Sequence, residues 1–439
     1  MSFLEIIYVI LLIALFSFLV LKLRFFKLPG IKRKYVLFAL YLKIIAGFGL
    51  TLLYTKYYTD RSEADIFKYF DDSKIMHDAL KEKPADYFQM LLGVNNDNYY
   101  FDENYYMNMN HWYREYETVT YNDSHTIIRI NAFFRLFSFG FFQVHNLFMI
   151  FLAFLGLVAL FRTFHTYFKE RPYELFFAVF LIPSLLFWSS GALKESILIF
   201  GLGMFLYAIQ QLIFIGFSIM RTLAAILGVF LLFYTKMYVL AVFIPVLAAN
   251  LWVIFTTNKR ALLKYLLTLF FFIDIVVVLG YLMPEYNVFS LLVGKQHDFI
   301  GLALHEQAGS FIQPFELQAN FASFAAFAPL ALINTLFRPF FGDISSPLLI
   351  LPLLENLVLI LMIILAIVFP LKGRKNNRII FFCFFFSILL FILLGLTTPV
   401  LGALVRYRIP GLPFFVIGLL MLIDTKRILA IFQKKPIKS

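Results

Sequence analysis

The sequence predicts an all-α polytopic membrane protein of about 11 transmembrane helices, N-terminus outside and C-terminus inside. Three observations carry this. Of 439 residues, 62% are hydrophobic and only 15% charged, against about 45–50% and about 25% in soluble domains. The apolar residues fall in runs of roughly 18 or more, enough to cross about 30 Å of hydrocarbon. Lys and Arg cluster between alternate runs, as loops held in the cytoplasm do. A net charge of +12 would suggest nucleic acid in a soluble chain. Here basic helix ends set topology and touch anionic membrane lipids, so no nucleic-acid partner is expected. The one cysteine, Cys383, lies in a Phe-rich run, which excludes an intrachain disulfide and a cysteine metal cluster.

The first run, residues 3–20, follows an N-terminus with Glu5 and no basic residue. That is unlike a cleavable signal, so this helix is expected to remain. The basic stretch Lys22, Arg24, Lys27, Lys32, Arg33 and Lys34 places the next loop inside. A second helix over 35–54 leads out to a long polar segment, and a third over 147–164 returns to Arg162, Lys169 and Arg171. Helices over 173–188 and 194–213 form a hairpin closed outside by Ser189, Ser190 and Gly191. Helices over 222–234 and 238–255 form another, ending inside at Lys259, Arg260 and Lys264. An eighth helix, 262–283, opens a second outer segment, in which the apolar stretch 321–337, broken by Pro329, suits an interfacial or re-entrant element. Helices over 347–368, 379–396 and 409–422 complete the set, with basic residues after the first and last. There is no internal repeat and no low-complexity linker. Residues 1–439 therefore read as one membrane domain with outer segments 55–146 and 284–346.

Residues 55–125 hold more than half of the 26 acidic residues. Within them, 65–80 reads as a helix with Ile66, Phe67, Phe70 and Met76 on one side and Asp65, Lys68, Asp72 and Lys74 on others, the pattern of a helix lying on the interface. A second covers 126–140, with Asn131, Arg135 and Ser138 as a polar stripe at helical spacing. Between them, 95–121 is rich in Tyr and Asn. Aromatics interleaved with amides suit sugar rings and hydroxyls; the competing reading is an aromatic belt at the membrane surface. Glu63 and Asp65 form an acid-x-acid pair that could hold a divalent metal, Mg or Mn, with a phosphate substrate; a solvated charge run is the alternative.

Lys194 with Glu195, Lys236, Arg338, Arg406 and Arg408 are all expected at the outer ends of helices. Positive-inside statistics disfavour cations there, and binding a lipid phosphate explains them better than snorkelling does. Lys43 and Asp274 fall near mid-span, and Glu355 lies within a later span. Charges at such depth are costly and commonly paired. His297, His305 and Glu306 have no zinc-motif spacing and read as a solvated loop.

Two segments carry a resemblance. Ala64-Asp65-Ile66-Phe67-Lys68-Tyr69 matches a Gly/Ala-Asp-x-x-x-Tyr pattern in the first outer loop, and Arg406-Tyr407-Arg408-Ile409-Pro410 matches an Arg-Tyr-Arg-x-Pro pattern before a late helix. In these the chain resembles the GT-C class of integral-membrane glycosyltransferases, which includes protein O-mannosyltransferases and lipid A aminoarabinose transferases. Trp188-Ser189-Ser190-Gly191 with Lys194-Glu195 also resembles polysaccharide-polymerase-like proteins. The family's first helix corresponds here to the second, which makes residues 3–20 an addition.

The resemblance implies a GT-C-like fold and transfer of a sugar from a polyprenyl-phosphate-linked donor to a hydroxyl of a glycan, lipid or protein acceptor. Abundant Phe, Ile and Lys with no organelle signal suit a bacterial plasma membrane, with the active face outside. The resemblance places the catalytic role on Asp65 and phosphate contact on Arg406, Tyr407 and Arg408, while Tyr69, Arg135, Lys194, Glu195, Lys236 and Arg338 are further candidates for binding sugar or lipid phosphate. Three rivals are a polysaccharide polymerase relying on Arg338 and His305, a lipid-linked glycan transporter or flippase, and a scaffold subunit with a degenerate site.

Overall fold

A computed structural model describes residues 2–57, 60–113, 122–305, 307–372 and 377–432. Among these every named element is helical, with two isolated antiparallel bridges, Phe311 to Val400 and Pro370 to Ile423. Eight described helices are long and apolar enough to cross a membrane, or nine if Leu401–Tyr407 and Leu412–Leu422, bent by 67°, form one span. The chain falls into two compact units.

The first unit comprises Met1–Leu181 and Leu185–Leu240. Its long apolar helices include Phe3–Lys22, Arg33–Tyr57, Phe142–Phe164 and Lys194–Phe214. The last two pack through glycines. A Cβ on Gly203 would lie 2.0 Å from the Gly156 carbonyl oxygen, and one on Gly156 would lie 2.3 Å from that of Ile199. Small residues let helix backbones approach this closely in membranes. The stretch expected as one helix over 173–188 is two, Pro172–Phe180 and Pro183–Trp188. Pro183 lacks the N–H that would continue the ladder and disfavours helical backbone at residue 182. The pair expected over 222–234 and 238–255 is one assigned helix, Ile219–Phe255, broken by non-helical backbone at Lys236 (φ −151°, ψ 76°).

The polar segment of this unit folds into helices Asp65–Glu82, Pro84–Leu92, Tyr99–Asn104 and Ser124–Ser138. Tyr69, Met76, Tyr87, Tyr106, Trp112 and Ile127 belong to a shared core. The stripe Asn131, Arg135 and Ser138 is buried and faces protein partners. His145 bridges Ser138 Oγ at 2.6 Å and Asn131 Oδ1 at 2.9 Å. Phe133, Leu136 and Phe137 lie on the exposed side. The helix thus seats its polar atoms inward and offers rings outward, the orientation a membrane surface favours.

The second unit comprises Ile182–Ser184 and Ala241–Ser439. Phe321–Phe337 is a continuous helix that accommodates Pro329 and packs on Asn377–Thr397. Thr335 Oγ1 donates to the Phe391 carbonyl at 2.8 Å, and a Cβ on Gly395 would meet the Ala331 oxygen at 2.2 Å. Helices Ala261–Leu282, Val288–His305 and Ile350–Val368 complete the main elements. Asp274 is exposed on the first of these.

Candidate functional site

Three residues expected in the site meet in the first unit. Lys194 is the first residue of its helix, preceded by the extended residue Leu193. Its ammonium lies 2.6 Å from Asp123 Oδ1 and 3.1 Å from Ser124 Oγ, 5.1 Å above the Tyr69 ring. Lys236, at the helix break, approaches Asp123 Oδ2 to 3.5 Å. Two cations therefore share one carboxylate, which is itself only partly exposed, and an aromatic face flanks the group. Tyr69 also packs against His111, ring centroids 5.5 Å apart.

Asp65 opens the helix that carries Tyr69, with Ala64 as its N-cap. The i, i+4 spacing puts Asp65 and Tyr69 on one face, about 6 Å apart along the axis. The positive end of a helix interacts favourably with a carboxylate in its first turn. On the same face one turn further, Asp72 is buried and accepts 2.8 Å hydrogen bonds from the backbone N–H groups of Asn110 and His111. Burial raises its pKa from 3.8 to about 6, against the pull of those two donors. Asp72 thereby fastens the aromatic segment to the helix bearing Asp65.

The turn leading to Lys194 is clamped from within the membrane-spanning helices. The buried Lys43 donates to Ser189 O and Oγ, both at 2.6 Å, and to Ser190 Oγ at 3.0 Å. Those three acceptors match the three donors of an ammonium. Gly47 leaves room for the turn, since a Cβ there would lie 2.4 Å from the Ser190 carbonyl oxygen.

Arg135 binds Ser73 Oγ at 2.8 Å and the Phe70 carbonyl, over the Phe70 ring. Burial lowers its pKa to about 10. Glu195 is buried beside Lys194 in sequence. The Glu63 side chain and residues 114–121 lie outside the described residues. No group of three His, Cys, Asp or Glu among the described residues is placed to hold a metal ion. In the Tyr- and Asn-rich stretch the rings stack on one another. Tyr106 lies on Trp112 at 4.0 Å and Trp112 on His125 at 3.7 Å, while Tyr99 and Tyr113 are exposed.

The remaining expected residues lie in the second unit. Arg338 forms a bidentate pair with Asp343, 3.0 Å and 2.5 Å, which raises the pKa of the guanidinium and holds the carboxyl down. Arg406 lies over the Tyr407 ring at 6.0 Å, and that ring meets Phe299 at 5.9 Å. Arg408 is 0% exposed. It donates to Glu355 at 3.0 Å, Asn356 Oδ1 at 2.7 Å and the Thr335 carbonyl at 2.9 Å. Asn356 Nδ2 in turn donates to the carbonyls of Phe337, at 2.8 Å, and Pro339, at 3.3 Å, either side of Arg338.

Asp123 was not legible as a site residue. An Asp just before a helix suggests a cap, but here Asn122 accepts the Ser124 N–H at 2.9 Å, and the Asp123 carboxylate reaches the two lysines instead. No known protein family, curated protein or solved structure matches the chain.

Proposed function

We propose that the protein is an integral-membrane glycosyltransferase of the GT-C kind. It would move a sugar from a polyprenyl-phosphate-linked donor to an acceptor hydroxyl at the outer face of a bacterial plasma membrane, within an N-out, C-in frame of about 11 spans. The observation that carries this reading is the convergence of Lys194 and Lys236 on Asp123 above Tyr69, in a helix whose first residue is Asp65.

The proposed chemistry is a single displacement. The Asp65 carboxylate takes the proton of the acceptor hydroxyl, whose oxygen attacks the anomeric carbon. The bond from that carbon to the phosphate oxygen breaks with inversion, and its electron pair leaves on the lipid phosphate. The phosphate gains negative charge as the bond breaks, so fixed cations favour the transition state over the bound donor. Lys194 suits that role, because it stands at the positive end of its own helix and its ammonium is already desolvated. Tyr69, buried in the shared core, holds its ring face against the Lys194 ammonium and so helps fix it in place.

The test is release of polyprenyl phosphate from a panel of polyprenyl-phosphate sugars by the purified chain, comparing Asp65→Asn with Arg338→Ala and His305→Ala. Release that needs Asp65 supports the transferase. Release that survives Asp65→Asn but is lost in both other variants supports the polymerase reading, and no release from any donor overturns the proposal.

A further inference from the structure

The second outer segment contains a cleft that no part of the proposed reaction uses. It is an open cleft of about 430 Å³. Its floor is built. Gln296, 2% exposed on the Val288–His305 helix, donates 3.0 Å hydrogen bonds to the carbonyls of Phe315 and Leu396. The extended segment 311–318 forms the wall. It is pinned by Ile312 N–H to the Pro399 carbonyl at 2.8 Å and by Gln318 N–H to Ser323 Oγ at 3.0 Å, and the Phe315 ring stacks on Phe327 at 5.0 Å.

The lining mixes amides, one acid, one imidazole and an aromatic face: Gln296, His297, Gln313, Phe315, Glu316 and Gln318. His297, Gln313, Glu316 and Gln318 are exposed at its mouth. Amide side chains donate and accept at once, as sugar hydroxyls do, and a ring face suits the apolar side of a pyranose. No Lys or Arg is among the lining residues, and Glu316 would repel an anion, so a phosphate or an acidic sugar is disfavoured. A purely apolar ligand would leave the polar groups of Gln313 and Glu316 at the mouth unsatisfied.

From this we infer that the cleft binds a neutral, hydroxyl-rich sugar unit.

The test is saturation-transfer difference NMR of the full-length protein in nanodiscs with maltotriose, mannotriose and N-acetylchitotriose, and with glucuronic acid as an anionic control. At least one neutral oligosaccharide is expected to bind and glucuronic acid not to. Glu316→Ala should weaken binding about tenfold, as loss of one or two hydrogen bonds does, and Gln313→Trp, which fills the cleft, should abolish it. Both side chains are exposed, so the unfolding midpoint should stay put. Asp65→Asn should leave sugar binding intact, which separates this inference from the reaction. Absence of binding by all three neutral sugars, or binding unchanged in both cleft variants, overturns it.

Discussion

Replacing Glu355 by Gln is expected to destabilise the second unit far more than the change of one atom suggests. Glu355 accepts at both oxygens, from Arg408 at 3.0 Å and from the Ser184 N–H at 2.7 Å. Arg408 has no exposed surface. A glutamine must turn its NH₂ toward one of these two donors, leaving a buried donor unsatisfied at about 1–3 kcal/mol. It also strips the counter-charge from a buried guanidinium, and breaking such a pair from one side costs about 3–5 kcal/mol. The two effects overlap, so the expected loss is about 3–5 kcal/mol, read as the shift in equilibrium unfolding in mixed micelles. The double variant Glu355→Leu with Arg408→Met removes both charges and should recover most of that loss. A loss under about 1 kcal/mol for Glu355→Gln, or a double variant no better than the single, would refute the idea that the pair is a dry structural lock. The same geometry predicts that Arg408 substitutions act on stability ahead of donor affinity.

Three further outcomes follow from named contacts. Asp72 has its pKa raised to about 6 in the fold against an ordinary 3.8, so its stabilising contribution is full below pH 3.8 and is lost as pH rises through about 6. That gap is worth about 3 kcal/mol, and Asp72→Asn should flatten the unfolding free energy between pH 4 and pH 7 while removing one of its two accepted N–H bonds. Gly203→Ala should cost about 1–3 kcal/mol through overpacking, because its new methyl would lie 2.0 Å from the Gly156 oxygen; Gly49→Ala, with nothing within 4 Å, is the control in the same unfolding assay. Lys194→Gln should weaken binding of the polyprenyl-phosphate donor about tenfold or more in a direct titration, since a close charge on phosphate is worth about 1.5–3 kcal/mol.

The long helices were legible because a membrane span announces itself by length and apolarity alone. The expected helices over 3–20, 194–213 and 262–283 lie within a few residues of those observed. The break before Pro183 had a signal that the apolar run overrode. The break at Lys236 is also marked in sequence, as a lone cation between two apolar runs. In the polar segment the two helices were readable from periodicity, but their partners were not. Asn131, Arg135 and Ser138 share a face by spacing, and spacing does not say that the face meets His145 and Ser73. Lys194, Lys236 and Tyr69 were selected one by one as a misplaced cation or a motif match. Asp123 draws them together across 71 and 113 positions of chain, a distance that no local pattern encodes. Arg408 looked like Arg406 in sequence, and only packing separates the buried guanidinium from its half-buried neighbour.

In the proposed reaction Asp65, from the polar segment, and Lys194 and Lys236, from later helices, act together on a lipid-linked sugar. Single-turnover kinetics of the purified chain with its best donor test it most directly, with Asp65→Asn and Lys194→Gln measured beside the wild type. Asp65→Asn is expected to slow sugar transfer by about 10²–10⁴ with donor affinity unchanged, while Lys194→Gln weakens donor binding. Wild-type transfer rates in Asp65→Asn would contradict it.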